Sequence, residues 1–250
     1  MIIDHTYPAY RKKRNSLEYG NQHNGAYYYS KEIVKNIIPF VKTDRNWITV
    51  RVTDLPKEIM DHSIVFIHNT RNPNYYEYLS KYDDLILVCP VPQIMEGVGF
   101  WGKTIYLPLS IDLESVLKYK KKEHKKDVCF AGRKSKITNR IPNNIDILTD
   151  MSQSQLLKAM ADYKKVYAVG RCAVQARALG CEILPYMDKY PDPKFWKVID
   201  NKDAAKMLQK MLDEIDGVEE LNLIEKLEDE NVRKEILEGW REDMKKYDRD

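Results

Sequence analysis

The sequence predicts an α/β fold with mostly parallel sheets, arranged in two halves, and three observations predict it. Short apolar runs recur with helical segments between them: Trp47 to Val52, Ser63 to Ile67, Asp84 to Val88 and Thr104 to Leu107. Strands alternating with helices are the pattern of a parallel sheet. The stretch Lys164 to Tyr186, KKVYAVGRCAVQARALGCEILPY, reads as a complete strand–turn–helix–strand unit. That is long enough for a right-handed crossover between parallel strands. Between the two series of elements lies Leu113 to Lys126, a lysine-rich stretch that reads as a linker.

In the first half, Met1 to His5 (MIIDH) is the first strand. Tyr7 to Asn24 has no apolar periodicity, carries Arg11-Lys-Lys-Arg14 and runs into Gly20-Asn-Gln-His-Asn-Gly25. It predicts a long loop, and long loops in compact domains are usually functional or mobile. Tyr27 to Val41 follows as a helix with Ile33, Val34, Ile37 and Ile38 on one face. A strand, a glycine-bearing loop and a helix are the start of a Rossmann-like domain. Leu55 to Met60 is a short helix, and the strand Ser63 to Ile67 is closed by His68-Asn-Thr-Arg71. Pro73 to Tyr82 is helical. Pro90 and Pro92 break the strand Asp84 to Val88, and a glycine-rich loop, Gly97 to Gly102, leads to the last strand. Ligands of such sheets bind outside the carboxyl ends of the strands, where His5, His68-Asn69 and Pro90 to Gln93 fall.

In the second half, the strand Asp127 to Phe130 runs into Ala131-Gly-Arg-Lys-Ser-Lys136. A glycine directly after a strand, followed by Arg and Lys, makes a corner for phosphate. Asn144 to Leu148 is a strand, and Thr149 to Ser152 offers capping residues for the helix Gln153 to Tyr163, with Leu156, Leu157 and Met160 on one side. Val166 to Val169 is the next strand. Gly170-Arg171 turns the chain into the helix Cys172 to Leu179, Gly180 stops it, and Glu182 to Leu184 is a strand again. The helix start is a second anion corner, since free backbone N–H groups and the helix dipole point at it. Gly170 lets the backbone approach a ligand, and Arg171 adds a cationic fork. The Pro-rich loop Met187 to Trp196 places Asp188 and Tyr190 at a strand end as candidate contacts. Asn201 and Asp203 cap a helix through Ile215, and Val218 to Asp250 reads as charged helices with a sparse apolar stripe.

Gln175-Ala-Arg-Ala-Leu-Gly180 resembles the E-A-x-A-x-G signature of nucleotide-sugar glycosyltransferases of the GT-B fold. The resemblance implies two Rossmann-like domains with a cleft between them. Residues 1–112 are the acceptor side, 113–126 the linker, 127–215 the donor domain, and 216–250 charged helices crossing back to the first domain. It further implies a nucleoside-diphosphate sugar bound by Gly132, Arg133, Lys136, Thr149, Gly170, Arg171, Gln175 and Asp188. Arg133, with Lys134 or Lys136, and the Gly170-Arg171 helix start would stabilise the departing diphosphate without a metal. The turn that begins at Thr149 would meet the nucleobase. Gln175 stands where the family has an acid on the ribose hydroxyls, and it can hydrogen-bond a hydroxyl only without charge assistance. An inverting enzyme also wants a general base, for which Asp4, His23 and His68 are the candidates. A retaining one needs none.

Composition bounds the alternatives. Hydrophobic residues make up 43% of the 250, enough for one large or two small cores. A net charge of +3 is too near neutral to imply nucleic acid by itself. Cys89, Cys129, Cys172 and Cys181 form no C-x-x-C pair, which argues against a metal site; Cys89, Cys129 and Cys181, in or beside the buried strands, read as core thiols in a reduced compartment. No apolar run approaches the ~20 residues that span a bilayer, and a cytoplasmic protein is expected. G-x-S-x-G, H-E-x-x-H, G-x-G-x-x-G and the P-loop pattern are all absent. No separate cofactor is implied, the donor being a substrate. Two other readings stand beside glycosyl transfer. One is a non-catalytic nucleotide- or sugar-binding module, motivated by Gln175. The other, less favoured, is a transferase or binding protein for DNA, motivated by Arg11 to Arg14 and Lys120 to Lys126.

Overall fold

Two all-parallel sheets carry the fold in the computed structural model, which describes residues 1–4, 6, 25–50, 55–67, 77–91, 103–187 and 193–217. Strands β1 (Ile2–Ile3), β2 (Asn46–Ile48), β3 (Ser63–Phe66), β4 (Leu85–Cys89) and β5 (Lys103–Tyr106) pair in chain order. Trp47 sits between Ile2 and Ile64, and Val65 opposes both Ile48 and Leu87. Every residue of β3 and β4 is buried. Their near-continuous apolar runs, SIVF (with the buried polar Ser63 at its start) and LILVC, are what a parallel sheet covered on both faces demands.

The second sheet has the order β7-β6-β8-β9, from β6 (Lys126–Ala131), β7 (Asp146–Leu148), β8 (Tyr163–Tyr167) and β9 (Glu182–Leu184). The chain steps from β6 outward to β7, then crosses to the other side of β6 to lay down β8. Such a reversal is a topological switch point. Among the described strands of the first sheet there is none. Helices α1 (Gly25–Asn36), α2 (Lys57–Met60), α3 (Leu113–Leu117), α4 (Gln153–Met160), α5 (Arg171–Ala178) and α6 (Asn201–Gly217) complete the elements named here. Single 3-10 turns lie at Ile38–Phe40, Lys134–Lys136 and Pro193–Phe195. Residues 77–79 are helical, within the helix expected from Pro73 to Tyr82.

The described residues fall into two compact units. One is drawn from Met1–Leu17, Val41–Leu107 and Lys206–Asp250, the other from Glu18–Phe40 and Pro108–Ala205. Helix α1 therefore belongs to the unit of the second sheet, although its place in the chain suggests the first. Its Glu32 pairs with Arg171, and the Arg171 guanidinium lies 5.8 Å from the Tyr28 ring centroid. The stretch expected as a linker, 113–126, is likewise part of that unit. Asp112 caps α3 by accepting from Ser115 N at 3.0 Å. Lys121 donates to Asp162 at 2.5 Å, and His124 Nδ1 donates to the Ala161 carbonyl at 3.2 Å. These contacts hold the segment down, and the lysine count gave no sign of them.

Local chemistry accounts for the boundaries around α4 and α5. Ser152 and Gln155 form a reciprocal capping box at the start of α4. Tyr163 opens β8 instead of closing α4, because the chain turns at Ala161 and Asp162. The lysines of β8 hide the strand from an apolar count, yet Lys165 pairs across to Glu182 at 3.6 Å. Gly180, at φ +96°, ends α5. There Cys181 N donates to Ala176 O and Gly180 N to Arg177 O, both at 3.0 Å, which is the Schellman pattern.

Candidate functional site

The carboxyl edge of the second sheet collects most of the residues singled out in the sequence. Gly132, Arg133 and Lys136 follow β6, Thr149 follows β7, and Gly170 and Arg171 follow β8. The loops after β6 and β8 leave the two strands that flank the switch point, where doubly wound sheets bind ligands. Gly132 N donates to Leu148 O at 3.3 Å, fixing the start of the first loop, and Lys136 N closes the 3-10 turn on Arg133 O at 2.9 Å. A Cβ on Gly132 would lie 3.1 Å from the Phe130 ring, so only glycine fits there without displacing that ring.

Gly170 is the N-cap of α5 at φ +63°, ψ −138°, a conformation open in practice only to glycine. Its carbonyl accepts from Ala173 N at 3.0 Å and Val174 N at 3.2 Å, and the earlier amides of the helix point outward. Cys172 reports the field at this corner. Burial pushes its thiol above the ordinary value, while the charges of Arg171, Lys136 and Arg133 pull it back down. Three cations from two loops thus act on one residue in the first turn of α5. Arg133 is exposed; Lys136 and Cys172 are half-buried.

Arg171 does not stand as a bare phosphate fork. Its Nη2 donates to Glu32 Oε1, with side-chain exposures of 10% for Arg171 and 16% for Glu32. Burial raises the Glu32 carboxyl above its ordinary value, and the charge and hydrogen bond of Arg171 offset only part of that. Asn201, at the start of α6, lies close enough to ease the ionisation of Glu32, and Asp112 opposes it. Glu32 and Asn201 were missed by sequence reasoning as site residues. Glu32 is one of several charges on an amphipathic helix, and Asn201 reads as a helix cap; no spacing links either to Arg171.

Gln175 lies one helical turn beyond Arg171 and is 3% exposed. Thr149 is half-buried, next to Asp150, the one described non-glycine residue with positive φ. Asp4 lies in the other unit, one residue past β1. It accepts from Thr6 N at 2.7 Å and Thr6 Oγ1 at 2.6 Å, closing its own turn through a single oxygen. His23, His68 and Asp188 lie outside the described residues, as do Arg11 to Arg14, Tyr190 and the tail from 218. In the lysine stretch, Lys121 is held by Asp162 and Lys126 by Asp146 and Tyr163.

Comparison with protein-family models, with curated proteins and with solved structures finds no match to this chain. Among the described residues no three His, Cys, Asp or Glu side chains gather as a metal-ligand group, and no helix is long and apolar enough to cross a membrane.

Proposed function

We propose that the chain is a glycosyltransferase that moves a sugar from a nucleoside-diphosphate sugar to an acceptor whose chemistry is unknown. The observation that carries this reading is the switch point. It brings the Gly132–Lys136 loop and the Gly170-Arg171 helix start, both read as phosphate corners from sequence, to the same edge of one sheet. Arg133, Lys136 and the outward amides of α5 supply positive potential where a diphosphate leaving group gathers charge, so departure can proceed on protein groups alone. Thr149 follows the neighbouring strand, at the place the donor nucleobase takes in this reading. Asp4, His23 and His68 are the proposed general bases for an inverting course.

A non-catalytic nucleotide-binding module is the second reading. Gln175 in place of the family's acid favours it, as does Glu32, which holds Arg171 back from phosphate. Turnover separates the two, because a module binds the diphosphate and leaves the sugar conjugate intact.

A thermal-shift screen with UDP, GDP, ADP, CDP and dTDP tests the donor site, repeated on Arg133→Ala and Lys136→Ala. A ligand at about 100 times its dissociation constant stabilises a fold by about 2.7 kcal/mol. A shift with one nucleotide, lost in both variants, supports the site. The absence of any shift sinks it.

A further inference from the structure

We infer that Glu32, Arg171 and Asn201, flanked by Ser110 and Gln175, form a subsite for the hydroxyl groups of a carbohydrate ring. It adjoins the phosphate corner. The inference rests on the donor reading above, since a nucleotide sugar carries two such rings, the ribose and the transferred sugar.

Buried polar atoms without hydrogen-bond partners concentrate here. An Arg–carboxylate pair can close with two parallel bonds. Arg171 and Glu32 make one and leave Arg171 Nη1 and Glu32 Oε2 open. Asn201 is 3% exposed, and its amide donates toward the Glu32 carboxylate closely enough to favour its ionisation, yet neither Nδ2 nor Oδ1 completes a hydrogen bond; Ser110 is 1% exposed with Oγ open, and Gln175 has Nε2 open. Chain geometry draws these residues together. Ile111 bridges to Asp200 in parallel, and Asn201 N donates to Ile111 O at 3.0 Å, which sets Ser110 close to Asn201. Gln175 and Arg171 are one turn apart on the same face of α5. Leaving a buried polar group unmet costs about 1–3 kcal/mol, and native proteins keep few of them. Such a set calls for an occupant.

The open set names the chemistry of that occupant. Glu32 Oε2 and Asn201 Oδ1 accept; Arg171 Nη1, Asn201 Nδ2 and Gln175 Nε2 donate; Ser110 Oγ does either. A phosphate only accepts and is repelled by the Glu32 carboxylate. A metal cation is repelled by Arg171. A hydroxyl donates and accepts, so one hydroxyl bridges the open pair, accepting from Nη1 and donating to Oε2. Neighbouring hydroxyls of one ring can meet the amides of Asn201 and Gln175 in the same way. Arg171, neutralised by Glu32, is thereby assigned to hydroxyls, and the diphosphate falls to Arg133, Lys136 and the helix amides. Water is the rival occupant.

The test is calorimetric titration of the full chain with UDP, GDP, ADP and CDP, each also as its 2′-deoxy form and its glucose conjugate. The proteins are the wild type, Glu32→Gln, Asn201→Ala and Ser110→Ala, with folding checked by circular dichroism. The affinity gap between a diphosphate and its glucose conjugate reads the transferred sugar; the gap between ribo and deoxy forms reads the ribose. One gap is expected to shrink about tenfold in the variants, while pyrophosphate competes for the phosphate corner within about twofold of wild type. Whichever gap shrinks identifies the ring. Gaps unchanged from wild type overturn the subsite and leave water in it. Failure of the wild type to bind any nucleotide overturns the donor reading, and the subsite with it. Ser110→Ala removes one hydroxyl and keeps the test decisive if the other variants do not fold.

Discussion

Arg171, the first residue of α5, donates from Nη2 to the carboxylate of Glu32, which stands 139 positions earlier in the chain. The pair fastens α1 to the unit built around the second sheet. It also neutralises a cation beside the proposed anion corner.

Both side chains are largely buried, so the pair behaves as an interior one. Breaking one side of such a pair strands a charge and costs about 3 kcal/mol or more, whereas replacing both with apolar groups is often near neutral. Glu32→Leu and Arg171→Met are each therefore expected to destabilise the fold by about 3 kcal/mol. The double variant Glu32→Leu/Arg171→Met should recover most of that. Urea denaturation of the two singles and the double gives the coupling directly. Single and double variants that are equally unstable would show that α1 is held by packing alone.

Gly170 offers a separation of strain from sterics. A Cβ there would meet nothing within 4 Å, yet φ is +63° with ψ −138°. Gly170→Ala is expected to cost about 1–3 kcal/mol from backbone strain alone. Asn tolerates the left-handed helical region, but this ψ lies outside it, so Gly170→Asn should bring no relief. The denaturation midpoints of the two variants check this, and a milder Asn variant would contradict the assigned conformation.

The parallel sheets, the Ser152 cap and the Gly180 stop were legible in the sequence because each rests on neighbours in the chain. Val65, Leu87 and their like announce buried strands, and Ser152 needs only Gln155 three residues on. The two loops proposed to take phosphate stood out for the same reason, glycine followed by cations directly after a strand. What could not be read depends on partners far apart in sequence. Glu32 finds Arg171 only through the fold. Lys121 and His124 looked like a solvated linker until Asp162 and the Ala161 carbonyl were placed beside them. The switch point between β6 and β8 is a property of strand order, which periodicity does not encode.

His62 predicts how stability follows pH. It joins Asp84 through Nδ1 at 2.8 Å and Asp44 through Nε2 at 3.2 Å, with Arg45 and Lys103 also on Asp84. Both carboxylates accept, so the bonded ring carries both protons. The hydrogen bond to Asp84 raises the His62 pKa above 6.5, burial and Arg45 opposing it and Asp44 adding to it. A raised native value means stability that is complete below about pH 6.5 and lost as pH rises through the native value. Asp84 has the opposite sign. Burial works against its ionisation, but His62, Arg45 and Lys103 outweigh burial and hold it below 3.8. Its contribution is present above that value and fades as pH falls through the lowered one. Melting temperatures from about pH 5 to about pH 9 should decline above about 6.5 in the wild type. His62→Gln should flatten that decline, and an unchanged slope would remove His62 as its source.

Cys172 makes the proposed anion corner observable without knowing the acceptor. Cys89, Cys129 and Cys181 are buried, and burial pushes their thiols up, to about 12 for Cys89 and about 11 for Cys181. Cys172 is half-buried, and although burial raises its thiol as well, Arg171, Lys136 and Arg133 favour the thiolate. Thiolate fraction and access together govern alkylation. One thiol of the four should therefore react with iodoacetamide in the folded protein, slowly at neutral pH and faster as pH rises. Arg133→Ala and Lys136→Ala each withdraw a charge that favours the thiolate, so both should slow the reaction at fixed pH. A nucleoside diphosphate seated on the helix start both covers the sulfur and cancels the cations, and on both counts protects it. Peptide mass mapping with and without the nucleotide identified by thermal shift gives the answer. Alkylation of Cys172 that a saturating nucleotide leaves unchanged would place the phosphates away from α5.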